Sequence, residues 1–175
     1  MLKLDLNQTG GSSFPEGWTT VLINDAKEGD HNGTRYIDLF FQDQPDTLKC
    51  RIWTATNKKT EQEFGIANLF HHAWAGIVVD EENNTATIDD DVRHLKGKHL
   101  NVFFYENDNG YTDAAQRVVP TVREGFTEGY VDKLKARAEE WAHNRNHGTT
   151  RTTTPTNGVP VQTTTHVTED VEVPF

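Results

Sequence analysis

Cysteine is almost absent. Cys50 is the only one in 175 residues, so no intrachain disulfide forms and no cysteine framework for zinc exists. Long apolar runs are missing as well. The amino terminus MLKLDLNQTGGSSF carries Lys3 but no apolar stretch of signal-peptide length, and nowhere do about 18 apolar residues follow one another. A soluble protein of a reducing cytoplasm, without membrane partners, is the expectation. There is also no glycine-rich phosphate loop, no GxSxG elbow and no Cys–His pairing. His71 and His72 are adjacent on an expected helix and so cannot share a face. His143 and His147 are spaced for one face, but Asn144 stands where a metalloprotease needs Glu, and a third ligand is lacking. Residues 80–91, DEENNTATIDDD, have Thr85 and Asp91 where a calcium loop needs Gly and Glu. No catalytic residue, metal or cofactor is therefore assigned.

Positive charge is in short supply overall. Seventeen Lys and Arg face 27 Asp and Glu, a net charge of −10, which disfavours non-specific contact with phosphate. The distribution is uneven, however. Glu81, Glu82, Asp89, Asp90 and Asp91 crowd one polar stretch, whereas Lys49, Arg51, Lys58 and Lys59 fall close together beside Trp53.

The apolar pattern predicts five strands and two helices. WTTVLINDA (18–26) alternates, with Val21 and Ile23 on one face, and EGDHNG reads as a hairpin loop. In GTRYIDLFFQ, Ile37, Leu39 and Phe41 face one way and Tyr36, Asp38 and Phe40 the other. After a turn at 44–46, TLKCRIWTA sets Leu48, Cys50 and Ile52 against Lys49, Arg51 and Trp53. Thr60 and Glu63 have capping-box spacing ahead of a helix in TEQEFGIANLFHHAW, with Ile66, Leu69, Phe70 and Ala73 at helical intervals. Residues 77–98 allow a polar-tipped hairpin followed by the start of a strand at LKGK. HLNVFFYE (99–106), an Asn-Gly turn and YTDAAQRVVPT form a second hairpin, with Leu100, Val102 and Phe104 opposed to Asn101, Phe103 and Tyr105. EGYVDKLKARAEEWAH (128–143) is a helix. Three strands, a helix and two strands suit an OB-fold, a five-stranded, partly open barrel whose second and third strands present a nucleic-acid surface.

The expected fold class is thus mainly β, with a helix between strands 3 and 4 and a carboxy-terminal helix. The organisation expected is a flexible amino terminus (1–13), a barrel domain (14–126), the carboxy-terminal helix (127–146), a disordered linker (147–167) and an acidic tip (168–175). Thr, Asn, Gly and Pro dominate the linker, a composition that buries too little apolar surface to order itself. As a random coil, residues 147–175 would reach about 30 Å.

On the outward face of the second and third strands stand Tyr36, Lys49, Arg51 and Trp53, with Arg35, Lys58 and Lys59 nearby. Aromatics stack bases and cations follow phosphates, so these residues are the candidate binding surface for single-stranded nucleic acid. If Lys49, Arg51, Lys58 and Lys59 each neutralise a phosphate, log K falls against log salt with a slope of about −3. A plainer reading packs Tyr36 and Trp53 under the carboxy-terminal helix. A protein-interaction or structural module without nucleic-acid binding is then the alternative function, and a metal-dependent nuclease built around Asp89 a more distant one.

The ending EDVEVPF resembles the acidic tip of bacterial and phage single-stranded DNA-binding proteins, in which an OB domain is followed by a flexible linker and a short acidic peptide ending in Pro-Phe or Phe. From FPEGW at 14 to VVPT at 121 the chain also resembles short phage-encoded OB-fold proteins associated with recombination. The shared run is a Pro-Gly-like opening, a G-x-R/Y-x-x-L strand, the helix IANLFHHAW and the LKGK strand. The resemblance implies a non-enzymatic protein that coats single-stranded DNA in phage replication or recombination, in the host cell cytoplasm, as a possible homo-oligomer. It further implies that Phe175 and its carboxylate enter an apolar, basic-rimmed pocket on a replication or recombination protein. Pro174 would restrict the backbone, and Glu169, Asp170 and Glu172 would add attraction.

Overall fold

A computed structural model describes residues 15–146. The expectations for residues 1–13, the linker and the acidic tip, and His147, lie outside the described residues.

The order of elements is β1 (Gly17–His31), β2 (Thr34–Phe41), β3 (Cys50–Trp53), α1 (Gly65–Ala73), β4 (Ile77–Asp80), β5 (Thr85–Ile88), β6 (His99–Glu106), β7 (Thr112–Ala114) and α2 (Glu128–Asn146). Five strands form one antiparallel sheet in the order β3-β2-β1-β6-β7, and β4 pairs only with β5. The sheet curls into a nearly closed barrel of OB type, with α1 lying in sequence between its third and fourth strands as expected. Its open seam lies between β3 and β7, where the buried Cys50 thiol donates to the Ala115 carbonyl at 3.2 Å. Burial pushes that thiol up to about 12, so Cys50 acts as a closing contact rather than a nucleophile.

β1 serves both halves of the barrel. Its first half pairs with β6 from Gly17↔Phe104 to Leu22↔His99, and its second half pairs with β2 from Ile23↔Phe41 to His31↔Thr34. The register slips between Ile23 and Asp25. One extra residue bends the strand and shifts its alternation by one. Val21, Ile23 and Ala26 are consequently all buried, and Asp25, Lys27, Gly29 and His31 share the outer face with alternate residues of β2.

The first hairpin corrects the sequence reading. EGDH is strand, not loop, and the turn is the pair Asn32-Gly33 with φ of 53° and 78°. Two successive left-handed residues give the tight turn that matches strand twist, and Asn-Gly tolerates that conformation best. The third strand is shorter than expected, Cys50–Trp53. α1 starts at Gly65 rather than near Thr60, because Thr60 is not its cap. Glu63 alone serves that end, accepting from the Ile66 and Ala67 amides at 2.7 and 3.0 Å. The 77–98 stretch resolves into the β4–β5 hairpin, a 3-10 turn at Val92–Leu95 and a loop through Gly97.

Two apolar clusters hold the fold. The barrel core includes Ile23, Ile37, Leu39, Leu69, Phe70, Leu100 and Phe104, all fully buried. The second joins Val119, Phe126, Val131 and Ala138, with Trp18, Tyr130 and Leu134 packed on it. This second cluster fastens α2 to the outside of the β1–β6 half. Trp18 meets Phe103 at a tilt with ring centroids 5.3 Å apart, its indole N–H donates to Glu139, and Lys135 sits 5.4 Å from its ring. Near the far end of the helix, Asn146 donates to the Glu106 carbonyl at 2.6 Å.

Candidate nucleic-acid interface

α2 covers the outer face of β1 and β6, and among the described residues the outer face of β1, β2 and β3 is left open. Cross-strand register builds this open face in rows. Gly29 lies opposite Tyr36 and Tyr36 opposite Trp53; Lys27 lies opposite Asp38 and Asp38 opposite Arg51; Asp25 lies opposite Phe40. Tyr36 and Trp53 contact each other with ring centroids 5.0 Å apart, and His31 meets Trp53 edge-on at 6.3 Å. The plainer expectation, in which these two rings pack under the carboxy-terminal helix, is not what α2 does. It takes Trp18 and Phe103 instead.

Tyr36 lies flat across β1 because residue 29 is glycine. A Cβ there would stand 2.4 Å from Tyr36 Cζ, so any other side chain displaces the ring. Over Tyr36 lies the Arg51 guanidinium, 3.8 Å from the ring centroid and 5.5 Å from that of Trp53. The groups presented to solvent on this row are therefore the guanidinium plane and Trp53, with Tyr36 beneath as support. This changes the role expected for Tyr36, whose ring is covered rather than offered.

The residue that sequence reading missed is Asp38. The residue is 6% exposed, its carboxylate accepting from Arg51 Nε at 2.7 Å, Arg51 Nη2 at 2.8 Å and Lys49 Nζ at 2.8 Å. Burial pushes the Asp38 carboxyl up, but the hydrogen bonds from Arg51 and Lys49 outweigh burial and hold it below the usual carboxylate range. The same bond raises Arg51 further above its ordinary value. A signal was available in the chain, since Asp38 alternates onto the face of Tyr36 and Phe40, among the cations assigned to binding. Phe40 adds a further ring to this face, with Lys27 at 4.9 Å and Lys49 at 6.0 Å.

Not every expected residue joins the face. Lys58 and Lys59 project, exposed, from the loop after β3, which the Asn57 side chain organises by accepting from the Lys59 and Thr60 amides. Neither ammonium has an ion-pair partner among the described residues. Arg35 is separated from the set. It alternates to the opposite side of β2 from Tyr36, where Glu28 holds it at 2.6 Å and Asp90 pairs with it as well. There it lines an open cleft with Thr54, Glu63, Ile66, Ile88 and Asp90. Carboxylates outnumber the one guanidinium in that cleft, so it repels phosphate.

The acidic stretch and the histidines have structural work. Asp80 accepts from the Glu82 and Asn83 amides to form the β4–β5 turn, Asp89 bonds His94, Asp90 bonds Arg35 and Asp91 bonds Arg93. His72 is buried with Nδ1 3.1 Å from the Val118 carbonyl, and His71 packs 5.1 Å from Phe126. Among the described residues no cluster of His, Cys, Asp and Glu is arranged to hold a metal ion, and no helix is long and apolar enough to cross a membrane.

No family model matches the chain, and no curated protein matches it.

Proposed function

We propose that the open β1–β2–β3 face binds single-stranded DNA and that the protein is a non-enzymatic DNA-binding protein. One observation carries the reading. A partly exposed indole and a guanidinium plane lie together over Tyr36 on the barrel face that α2 leaves uncovered, with unpaired lysines on the neighbouring loop. Every base has a π-face, and stacking on such a platform contributes about 1–3 kcal/mol per base, without demanding a sequence. The polarity of the strip suits a ligand that is itself half aromatic and half charged better than it suits an apolar protein partner.

The ending EDVEVPF extends the proposal to recruitment. Its resemblance to the tips of single-stranded DNA-binding proteins supports a role in phage replication or recombination, with Phe175 as anchor and Glu169, Asp170 and Glu172 as the attracting charges. Titration of fluorescently labelled oligo(dT) tests the central claim. Saturable binding is expected, and removal of residues 168–175 is expected to leave it equal or stronger, most clearly at low salt, because an acidic tip competes with phosphate for the basic loop. Absence of binding would favour a protein-interaction module, and metal-dependent loss of the oligonucleotide would favour a nuclease.

A further inference from the structure

Asp38 is a buried carboxylate at the centre of a face proposed to bind a polyanion. A carboxylate in that place opposes phosphate, and placing it at 6% exposure costs desolvation that only Arg51 and Lys49 offset. Its geometry does two things to the ligand-facing groups. Two of its three hydrogen bonds grip Arg51 side-on, through Nε and Nη2, which fixes the guanidinium plane as well as its position. The plane so fixed is the one that lies 3.8 Å over Tyr36. It also cancels one of the two cations it holds.

We infer that Asp38 converts Arg51 from a phosphate-seeking cation into a fixed stacking plate, so that this face recognises nucleic acid through its bases more than through its backbone. The inference rests on the proposed DNA-binding reading and specifies how that site works. Charge arithmetic makes it quantitative. Lys49, Arg51, Lys58 and Lys59 against Asp38 leave three net positive charges, and at about −0.7 for each single-strand contact the salt slope becomes about −2, not the −3 of four free cations. Lys27 is paired with Asp25 at 3.9 Å and adds little. The role of Arg51 differs from that of a lysine, which has the charge but no plane.

The experiment measures labelled oligo(dT) affinity of the full chain across a salt series for the wild type, Asp38→Asn and Arg51→Lys, with circular dichroism to confirm folding. Asp38→Asn is expected to steepen the slope by about 0.7 and to tighten binding at low salt, because a cancelled cation is released. Arg51→Lys is expected to keep the wild-type slope but to bind at least about 5-fold more weakly at every salt concentration, the loss of one stacked base. If Asp38→Asn binds with the wild-type slope, Asp38 does not neutralise the face. If Arg51→Lys binds like the wild type, the guanidinium plane is not a stacking surface. Either result overturns the inference while leaving the DNA-binding reading intact. Failure of the wild type itself to bind oligo(dT) overturns that reading and this inference with it. Should Asp38→Asn not fold, Arg51→Lys decides the matter alone.

Discussion

The barrel has two aromatic outer faces built from similar parts, and the described residues cover only one. On the β1–β6 half, Trp18 packs at a tilt against Phe103 with Lys135 beside its ring; on the β1–β2–β3 half, Trp53 meets Tyr36 with Arg51 over both. The difference lies in what lies beyond the rings. α2 brings Val131, Leu134 and Ala138 to the first face and closes a second apolar cluster with Phe126. Nothing among the described residues does this for the second, where charged groups are interleaved with the rings. An aromatic with a cation beside it is thus not a functional signature in itself. It becomes one where no apolar partner claims it.

The largest expected effect breaks the covered side. Phe126 is 1% exposed and sits between His71, His72 and Tyr130, so Phe126→Ala should destabilise the fold by about 3–5 kcal/mol. Urea denaturation measures this directly. A loss below about 1 kcal/mol would mean that the α2 attachment does not depend on that cluster.

Acid should also act on the covered side first. Burial, reinforced by the nearby charges of His71 and Arg123 and opposed by the Val118 hydrogen bond, pushes His72 down to about 4. In the unfolded chain the imidazole takes up a proton near pH 6.5, whereas the folded protein resists until about pH 4. Stability is therefore complete above pH 6.5 and falls as pH drops toward 4, by about 3 kcal/mol from this group. Denaturation midpoints of the wild type and His72→Asn across that range should converge as pH falls, since the variant lacks the titration. A parallel offset at all pH values would show that His72 is not the group responsible.

The contrast between the two indoles is the sharper test. Trp18→Ala should cost about 2 kcal/mol of stability, through lost packing against Phe103 and α2, and leave oligo(dT) affinity unchanged. Trp53→Ala should do the reverse. It should weaken binding by about 1–3 kcal/mol and cost the fold no more than the about 0.2–1 kcal/mol of a cross-strand pair. If Trp53→Ala unfolds the domain, the open face belongs to the core after all.

The smallest expected effect refines the open face without touching a ligand group. Gly29→Ala places a methyl where the Tyr36 ring now lies and should lift the Tyr36–Arg51 stack, weakening oligo(dT) binding by about 3-fold, on the order of half a stacking contact. Backbone conformation at this position does not forbid alanine, so stability should change little. Unaltered affinity would show that Tyr36 does not support the plate.

Much of this architecture was legible from the chain alone, because alternation and helical spacing report burial of one face and need no tertiary information. Ile37, Leu39 and Phe41 against Tyr36 and Phe40, Cys50 and Ile52 against Arg51 and Trp53, and the two helices were readable in this way, and with them the barrel. What alternation cannot report is where it slips. The bulge after Ile23 and the two-residue turn at Asn32-Gly33 lengthened β1 and set Gly29 opposite Tyr36. Pairing across strands decided the rest, since opposite charges distant in sequence meet only when register brings them together. Thus Arg35 went to Glu28 and Asp90 on the far side of β2, and Asp38 came to hold both Arg51 and Lys49. Which aromatic face stayed open was settled by where α2 docked, a choice made by the shape and apolar area of Phe126, Val131 and Trp18 together and by no one of them in the sequence.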